Sequence, residues 1–162
     1  MSELSDRNLT FRVTASVITA TLRFLRSKGS QEHEGVVLWP AGLIGGACQI
    51  SEPLIPVQIT GRRFYEIPNA EVFRIIQWLA ARKLVIPIQV HSHEEHAFHS
   101  WADDEYAFVQ HENAISAVVP LFGSVNDGEF LIASRFYRLD EAGEWVEIES
   151  HEINQRFVIG GV

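Results

Sequence analysis

Two histidines separated by one residue, His91 and His93, directly follow an apolar run in this chain of 162 residues. The run, residues 84–90, is rich in branched side chains and therefore predicts a β-strand. Side chains alternate between the two faces of a strand, so both imidazoles are expected to project from the same face. Two imidazoles placed in this way can hold one metal ion.

The same stretch also supplies a carboxylate. Ser100-Trp101-Ala102-Asp103 has the form of a helix capping box, with Ser100 at the N-cap and Asp103 at the third helical position. A strand end thus brings two imidazoles, and a helix start brings one acid. Two histidines, one carboxylate and a water make the open tetrahedral site of a catalytic zinc ion. Each residue taken singly also suits a solvated surface or a simple helix cap, so the prediction depends on the combination.

The complete pattern is His-Ser-His, six residues, then Ser-x-x-Asp. It closely resembles the JAMM motif of the JAB/MPN metalloprotease family, in which the two histidines and the aspartate bind zinc and the serine helps to hold the oxyanion. The resemblance therefore implies one Zn²⁺ per chain on His91, His93 and Asp103, with an oxyanion role for Ser100.

The chain departs from the family pattern in two ways. Glu94 follows the second histidine, where family members often have proline, and the gap to the serine is one residue shorter than in eukaryotic members. Asp104 therefore remains an alternative ligand, although Asp103 is preferred because it keeps the Ser-x-x-Asp spacing. His96 and His99 flank the motif and are expected to lie outside the ligand set.

The resemblance also implies a catalytic glutamate that is not a metal ligand. In JAB/MPN proteins this residue opens a strand just after the first helix, takes a proton from the attacking water and passes it to the leaving amine. Glu32 and Glu34 both qualify, and they have the same strand parity. Glu32 has the usual spacing to Gly35, whereas Glu34 fits the distance to the next small residues, Ala41-Gly42, and the Glu-Gly-Val-Val-Leu-Trp pattern of bacterial members. Glu34 is preferred, and Glu32 stays the alternative.

The elements around these residues predict an α/β fold with a mixed β-sheet flanked by helices. This is the JAB/MPN (cytidine-deaminase-like) architecture that the resemblance implies for residues 10 to 140. The expected elements are a strand at 9–14, a helix at 15–28, a strand at 35–39, a glycine-rich turn at 39–47, short strands at 48–51 and 57–60, a helix at 69–83, the motif strand from 84, a helix from Asp103 to about Asn113, and strands at 114–122, 130–139 and 145–148.

Three further details follow from the pattern. Asn69 is expected to be the N-cap of the second helix, and the apolar spacing through residues 72–84 predicts that this helix is well buried. Pro87 within the motif strand indicates an edge or a bulge, because proline cannot donate to a sheet ladder. The segment 151–159 alternates only weakly.

Composition limits the function classes. The length suits one domain, residues 1–162. The chain carries 13 basic and 21 acidic residues, a formal charge of −8, and no Lys/Arg-rich block, which argues against nucleic acid and anionic membranes as partners. The single cysteine, Cys48, permits no internal disulfide. The polar N-terminus lacks a signal pattern, and no apolar run reaches membrane-spanning length, so a cytoplasmic location is expected.

The function that the resemblance implies is zinc-dependent hydrolysis of the (iso)peptide bond after the C-terminal glycine of a ubiquitin-like protein. Lack of a long insertion beside the motif is typical of a minimal, bacterial-type member. The implied partners are ubiquitin-like proteins or their conjugates, together with E1/E2-like proteins of the same system. The alternatives are a metal-dependent hydrolase of a small amide and a catalytically inert scaffold.

Overall fold

The computed structural model describes residues 9–98 and 107–161. The elements in chain order are β1 (Thr10–Thr14), α1 (Ala15–Gly29), β2 (Val36–Ile44), β3 (Ala47–Ile50), β4 (Ile59–Gly61), β5 (Phe64–Glu66), α2 (Asn69–Arg82), β6 (Val85–Ser92), β7 (Ile115–Val119), α3 (Phe130–Ala133), β8 (Arg135–Leu139), β9 (Trp145–Glu147), α4 (Ser150–Arg156) and β10 (Phe157–Gly160).

Within the described part of the chain, eight strands form one mixed sheet in the order β10-β1-β3-β2-β6-β7-β8-β9. The motif strand β6 lies in its middle, antiparallel to β2 and parallel to β7. Strands β4 and β5 form a separate antiparallel hairpin. The predicted α/β fold with a mixed sheet flanked by helices is confirmed.

Each face of the sheet has its own apolar layer, because β2 alternates between them. Val37 and Trp39 pack with α1, and the Trp39 indole donates a hydrogen bond to the buried Thr21 hydroxyl at 2.9 Å. Val36 and Leu38 pack on the other side with Ile75 of α2. The motif strand is thus covered on both faces, which keeps its end rigid and largely shielded from water.

A bulge in β6 determines which of its side chains pack in the α1 layer and which pack in the α2 layer. Trp39 pairs with Ile88, but Ala41 pairs with Val85, so two residues of β6 stand opposite one residue of β2. Ile86 consequently packs in the α2 layer while Ile88, two positions later, packs in the α1 layer. The bulge accommodates Pro87, as predicted. The alternative of an edge strand is wrong, because β6 lies inside the sheet.

Two predicted boundaries around the hairpin of β2 and β3 need correction. The strand β2 continues through Pro40 to Ile44, so the predicted turn at 39–47 shrinks to Gly45 and Gly46. Both glycines have positive φ, at 58° and 75°. The two-residue turn requires this left-handed backbone, which glycine adopts without a side-chain clash.

Helix α2 departs from its prediction in capping and burial. Its N-cap is Pro68 rather than Asn69, which is already the first helical residue. Ile75 is buried, but Phe73 and Ile76 are 62% and 54% exposed, so the helix is not well buried. Its apolar residues occupy more of the helix surface than the sheet can cover.

None of the helices among residues 9–98 and 107–161 is long and apolar enough to cross a membrane.

The C-terminal third contains the largest errors of prediction. Residues 107–113 form loop and turn, so the helix predicted to reach Asn113 does not extend there. The strand predicted at 130–139 is a short helix, α3, followed by β8. The segment 151–159 forms α4 and then β10, which pairs with β1 in parallel. This pairing spans nearly the whole chain, so local sequence patterns carry no signal for it.

The buried carboxylate of Glu71 links α2 to the segment before β4. It accepts hydrogen bonds from the Val57 amide at 3.0 Å and from Nε and Nη2 of Arg74, each at 2.7 Å. The hydrogen bonds from Arg74 are the main reason that the pKa of Glu71 lies below its ordinary value, and burial opposes them.

The substitution Glu71→Gln is expected to reduce the free energy of unfolding at neutral pH by about 2 kcal/mol, since it removes charge-assisted hydrogen bonds. A depressed carboxyl pKa contributes stability above the unfolded pKa, and this stability is lost as the pH falls through the folded pKa. The free energies of unfolding of wild type and variant should therefore become more similar below pH 4.5, the ordinary pKa of a glutamate side chain. Urea unfolding at several pH values measures both free energies, with the exposed Glu141→Gln as the control. If the two free energies differed by the same amount at every pH, this account would be contradicted.

Cys48 lies in β3 and is fully buried. Burial raises the pKa of its thiol to about 11, with Arg156 acting in the opposite direction. At neutral pH only about one thiol in ten thousand would be ionised, and the thiolate is the reactive form. Native protein should therefore resist iodoacetamide at neutral pH and react once denatured, as measured by intact mass. Rapid stoichiometric labelling of the native protein would contradict this.

Candidate metal and active site

The structure brings the two motif histidines together at the end of β6. The rings of His91 and His93 have centroids 5.2 Å apart, and both side chains are buried. His91 is within the strand, between Val36 of β2 and Val118 of β7. This arrangement brings two imidazoles near one point, as a shared metal ion requires.

Backbone hydrogen bonds fix His93 just beyond the strand. Its amide donates to the carbonyl of Val119 at 2.9 Å, and its carbonyl accepts from the amide of Phe122 at 2.7 Å. The ring of Phe98 meets the His93 imidazole edge-on, with centroids 4.8 Å apart. The position of His93 thus depends on the chain that follows β7.

Glu34 lies two residues before β2, and hydrogen bonds of its neighbour Gly35 place it beside His93. The amide of Ser92 donates to the Gly35 carbonyl at 3.1 Å, and the Gly35 amide donates to the Ser92 hydroxyl at 3.1 Å. Because the antiparallel register already pairs Val36 with His91, its continuation places Glu34 opposite His93. The amide of Glu34 donates to the Gly61 carbonyl at 2.8 Å, and its side chain is buried while still lining the cleft beside His93.

The alternative glutamate occupies a different environment. Glu32 is exposed and lies in the turn after α1, with a φ of 56°. The expectation that Glu32 and Glu34 share one strand parity is wrong for Glu32, because the left-handed residue interrupts the extended backbone. The geometry therefore favours Glu34 as the acid that reaches the histidines.

A cleft of about 500 Å³ opens at this end of the sheet. Its walls include Glu34 and His93, Arg62 and Arg63 from the tip of the β4–β5 hairpin, and Glu94 and Phe98 from the motif loop. His96 also lines the cleft, with a side chain that is 82% exposed. The volume is typical of a ligand-binding cleft.

An ion pair connects the hairpin to the loop that carries His93. The Arg62 guanidinium binds the Glu94 carboxylate with two hydrogen bonds, one of them from Nε to Oε2 at 3.1 Å. The Arg62 hydrogen bond lowers the pKa of Glu94. Glu94 therefore connects the loop to the hairpin through a side-chain contact. Sequence reasoning missed Arg62, because no local pattern connects a hairpin tip to a distant loop.

The other predicted site residues are Ser100, Asp103 and the alternative Asp104, together with the flanking His99. All of them lie in residues 99–106, outside the described residues. Among residues 9–98 and 107–161, no group of three His, Cys, Asp or Glu side chains is placed to hold a metal ion. The two buried imidazoles fit two positions of a zinc site by their chemistry and spacing. The third ligand stays a prediction.

Sequence reasoning also missed a buried polar group on the inner side of His91. Gln89, Tyr65 and Ser116 lie on the same face of the sheet as His91, and all three are buried. The sequence contains a signal for this group. Gln89 interrupts an apolar run and lies two residues before His91, so the two side chains are expected on the same face of the strand.

Comparison with known proteins identifies the family of this chain. The family model described as prokaryotic homologs of the JAB domain matches residues 14–139. The chain is 32% identical over 163 residues to a protein named probable metalloprotease y4jG from Sinorhizobium fredii, an alignment that covers 98% of this chain and 99% of that protein.

A solved structure has a similar fold. The solution structure of protein DSY2949 from Desulfitobacterium hafniense matches with a TM-score of 0.67 at 13% identity, covering 94% of each chain. The family match covers both motif histidines and both candidate glutamates, and the full-length relative extends the agreement over the rest of the chain. The chain therefore belongs to the JAB/MPN family, among the prokaryotic homologs of the JAB domain.

Proposed function

We propose that this protein is a zinc-dependent peptidase or isopeptidase that hydrolyses the bond after the C-terminal glycine of a ubiquitin-like protein. The observation that carries the proposal is a pair of buried imidazoles with ring centroids 5.2 Å apart, one of which, His93, lines a cleft together with the buried Glu34. Family membership and the relative named a probable metalloprotease support a metal-dependent hydrolase of the JAB type.

In this proposal His91 and His93 hold one zinc ion, and Asp103 supplies the third ligand, with Asp104 as the alternative. When bound, zinc polarises the scissile carbonyl and makes water acidic enough to ionise near neutral pH. His91 and His93 serve as neutral ligands, and their burial excludes competing water from the inner side of the site.

Glu34 is the proposed general base. Its backbone is fixed on one side by Gly61 and on the other by the Gly35–Ser92 hydrogen bonds, so the carboxylate has a defined position at the cleft. Glu34 accepts the proton of the attacking water and returns it to the leaving amine, and no covalent intermediate with the protein is needed. Ser100 donates a hydrogen bond to the oxyanion.

In this proposal the substrate enters the cleft as an extended tail that ends in glycine. The Arg62–Glu94 pair joins the hairpin to the motif loop and so connects two walls of the cleft. The amine on the other side of the scissile bond belongs to the modified protein or to a short extension, and E1/E2-like proteins are the proposed partners.

The substitution Glu34→Gln should leave metal content unchanged and lower kcat by about 100-fold or more, as expected when a general base is removed. The assay is cleavage of a ubiquitin-like protein fused after its C-terminal glycine, with zinc quantified in the same samples. Glu32→Gln is the matched control, since it makes the same chemical change at an exposed position two residues away, and it should retain wild-type kcat.

The outcomes separate the competing assignments. Loss of activity in Glu32→Gln with full activity in Glu34→Gln would identify Glu32 as the base. Zinc-loaded wild type that cleaves small amides and leaves every fusion intact would identify a small-amide hydrolase. Zinc-loaded protein inactive on both classes would support the inert scaffold.

A further inference from the structure

Gln89 is a fully buried polar side chain in an otherwise apolar layer. It shares the face of β6 with His91 and lies among the residues that pack beneath α2, including Val36, Leu38 and Ile86. A buried amide is unfavourable unless its hydrogen-bonding atoms have partners. The partners of Gln89 therefore indicate why an amide occupies this position.

Both ends of the Gln89 amide are engaged. Its Oε1 accepts hydrogen bonds from the backbone amides of Phe108 at 2.9 Å and Val109 at 3.3 Å. Its Nε2 donates to the Ser116 hydroxyl at 3.2 Å and to the Tyr65 hydroxyl at 3.5 Å. Backbone amides can only donate, so they define which end of the side chain is the oxygen. The nitrogen must then face Ser116.

Ser116 stands between Gln89 and His91. It is the direct partner of Gln89 in the parallel pairing of β6 with β7, and it is fully buried. Its hydroxyl lies 3.4 Å from Nδ1 of His91. The Tyr65 ring packs against the His91 imidazole, with centroids 5.4 Å apart. The imidazole is thus held by a polar contact at Nδ1 and by a ring contact on its side.

We propose that Gln89 and Ser116 form a positioning relay for His91, in which the Ser116 hydroxyl holds the Nδ1 side of the imidazole and Nε2 is directed to the metal. This inference rests on the proposed function. Neither residue touches substrate or metal. Gln89 fixes Ser116, and Ser116 fixes the ring orientation of the ligand.

The Ser116 hydroxyl can donate to Nδ1 or accept from it, so the contact exists in either imidazole tautomer. The contact therefore holds the ring orientation before metal arrives. When zinc occupies Nε2, the proton is on Nδ1, and Nδ1–H donates to the Ser116 hydroxyl. Because Gln89 is anchored by backbone amides from a different segment, its orientation does not depend on the metal.

The experiment compares Ser116→Ala with wild type and with Ser134→Ala. Ser134 is a buried serine whose hydroxyl has no hydrogen-bond partner among the described residues, so it controls for the loss of a buried hydroxyl. Zinc affinity is measured by chelator competition, and the ligand geometry by the absorption spectrum of the cobalt-substituted protein. Ser116→Ala should weaken zinc binding about 10-fold to 100-fold and alter the cobalt spectrum. Ser134→Ala should match the wild type in both.

Two further measurements separate positioning from general destabilisation. Ser116→Thr keeps the hydroxyl on a strand-compatible side chain and should restore zinc affinity to within a few fold of wild type. Long-range ¹H–¹⁵N spectra of the zinc-loaded protein should show zinc on Nε2 and the proton on Nδ1 of His91 in wild type and Ser116→Thr, with this single ring orientation lost in Ser116→Ala.

The possible failures are distinguishable. Equal zinc affinity in folded Ser116→Ala and wild type would overturn the relay and leave the proposed function standing. Wild type that binds no zinc would overturn the proposed function and this role together. Zinc bound through Nδ1 of His91 in the wild type would also overturn the relay.

Discussion

The pairing of the first residues of β2 with the last residues of β6 is the interaction on which the site depends. Gly35 and Ser92 exchange hydrogen bonds at the point where one strand begins and the other ends. Glu34 precedes this point on one strand, and His91 and His93 flank it on the other. The carboxylate proposed as the base and the two imidazoles proposed as metal ligands are therefore brought to one end of the sheet by backbone register.

The depth of β6 in the sheet explains how the site can be both buried and open. β2 and β7 cover its sides, and apolar layers cover its faces, so the base of the site is shielded from water. The strand ends at the cleft, where the motif loop and the tip of the β4–β5 hairpin provide polar walls. A low-dielectric base with polar groups at its mouth strengthens the electrostatic interactions that a metal hydrolase uses.

The sequence was sufficient to predict the motif strand, the proximity of His91 and His93 and the α/β class; the choice of Glu34 as the base stays a prediction. Each of these depends on local periodicity or on a family motif. The position of Arg62 opposite Glu94, and of Ser116 beside His91, could not be predicted because it arises from pairing between distant segments. The burial of α2 was overestimated, since apolar spacing shows which residues can be buried and does not show how much surface the sheet covers.

The central claim is that His91 and His93 hold a metal ion, and zinc content measures it most directly. The account predicts about one zinc per chain in the purified wild type. Zinc should be lost in folded His91→Ala and His93→Ala and retained in His151→Ala, which changes an exposed histidine. Wild type that contains no zinc, even after reconstitution, would contradict the account, as would folded His91→Ala that retains a full equivalent.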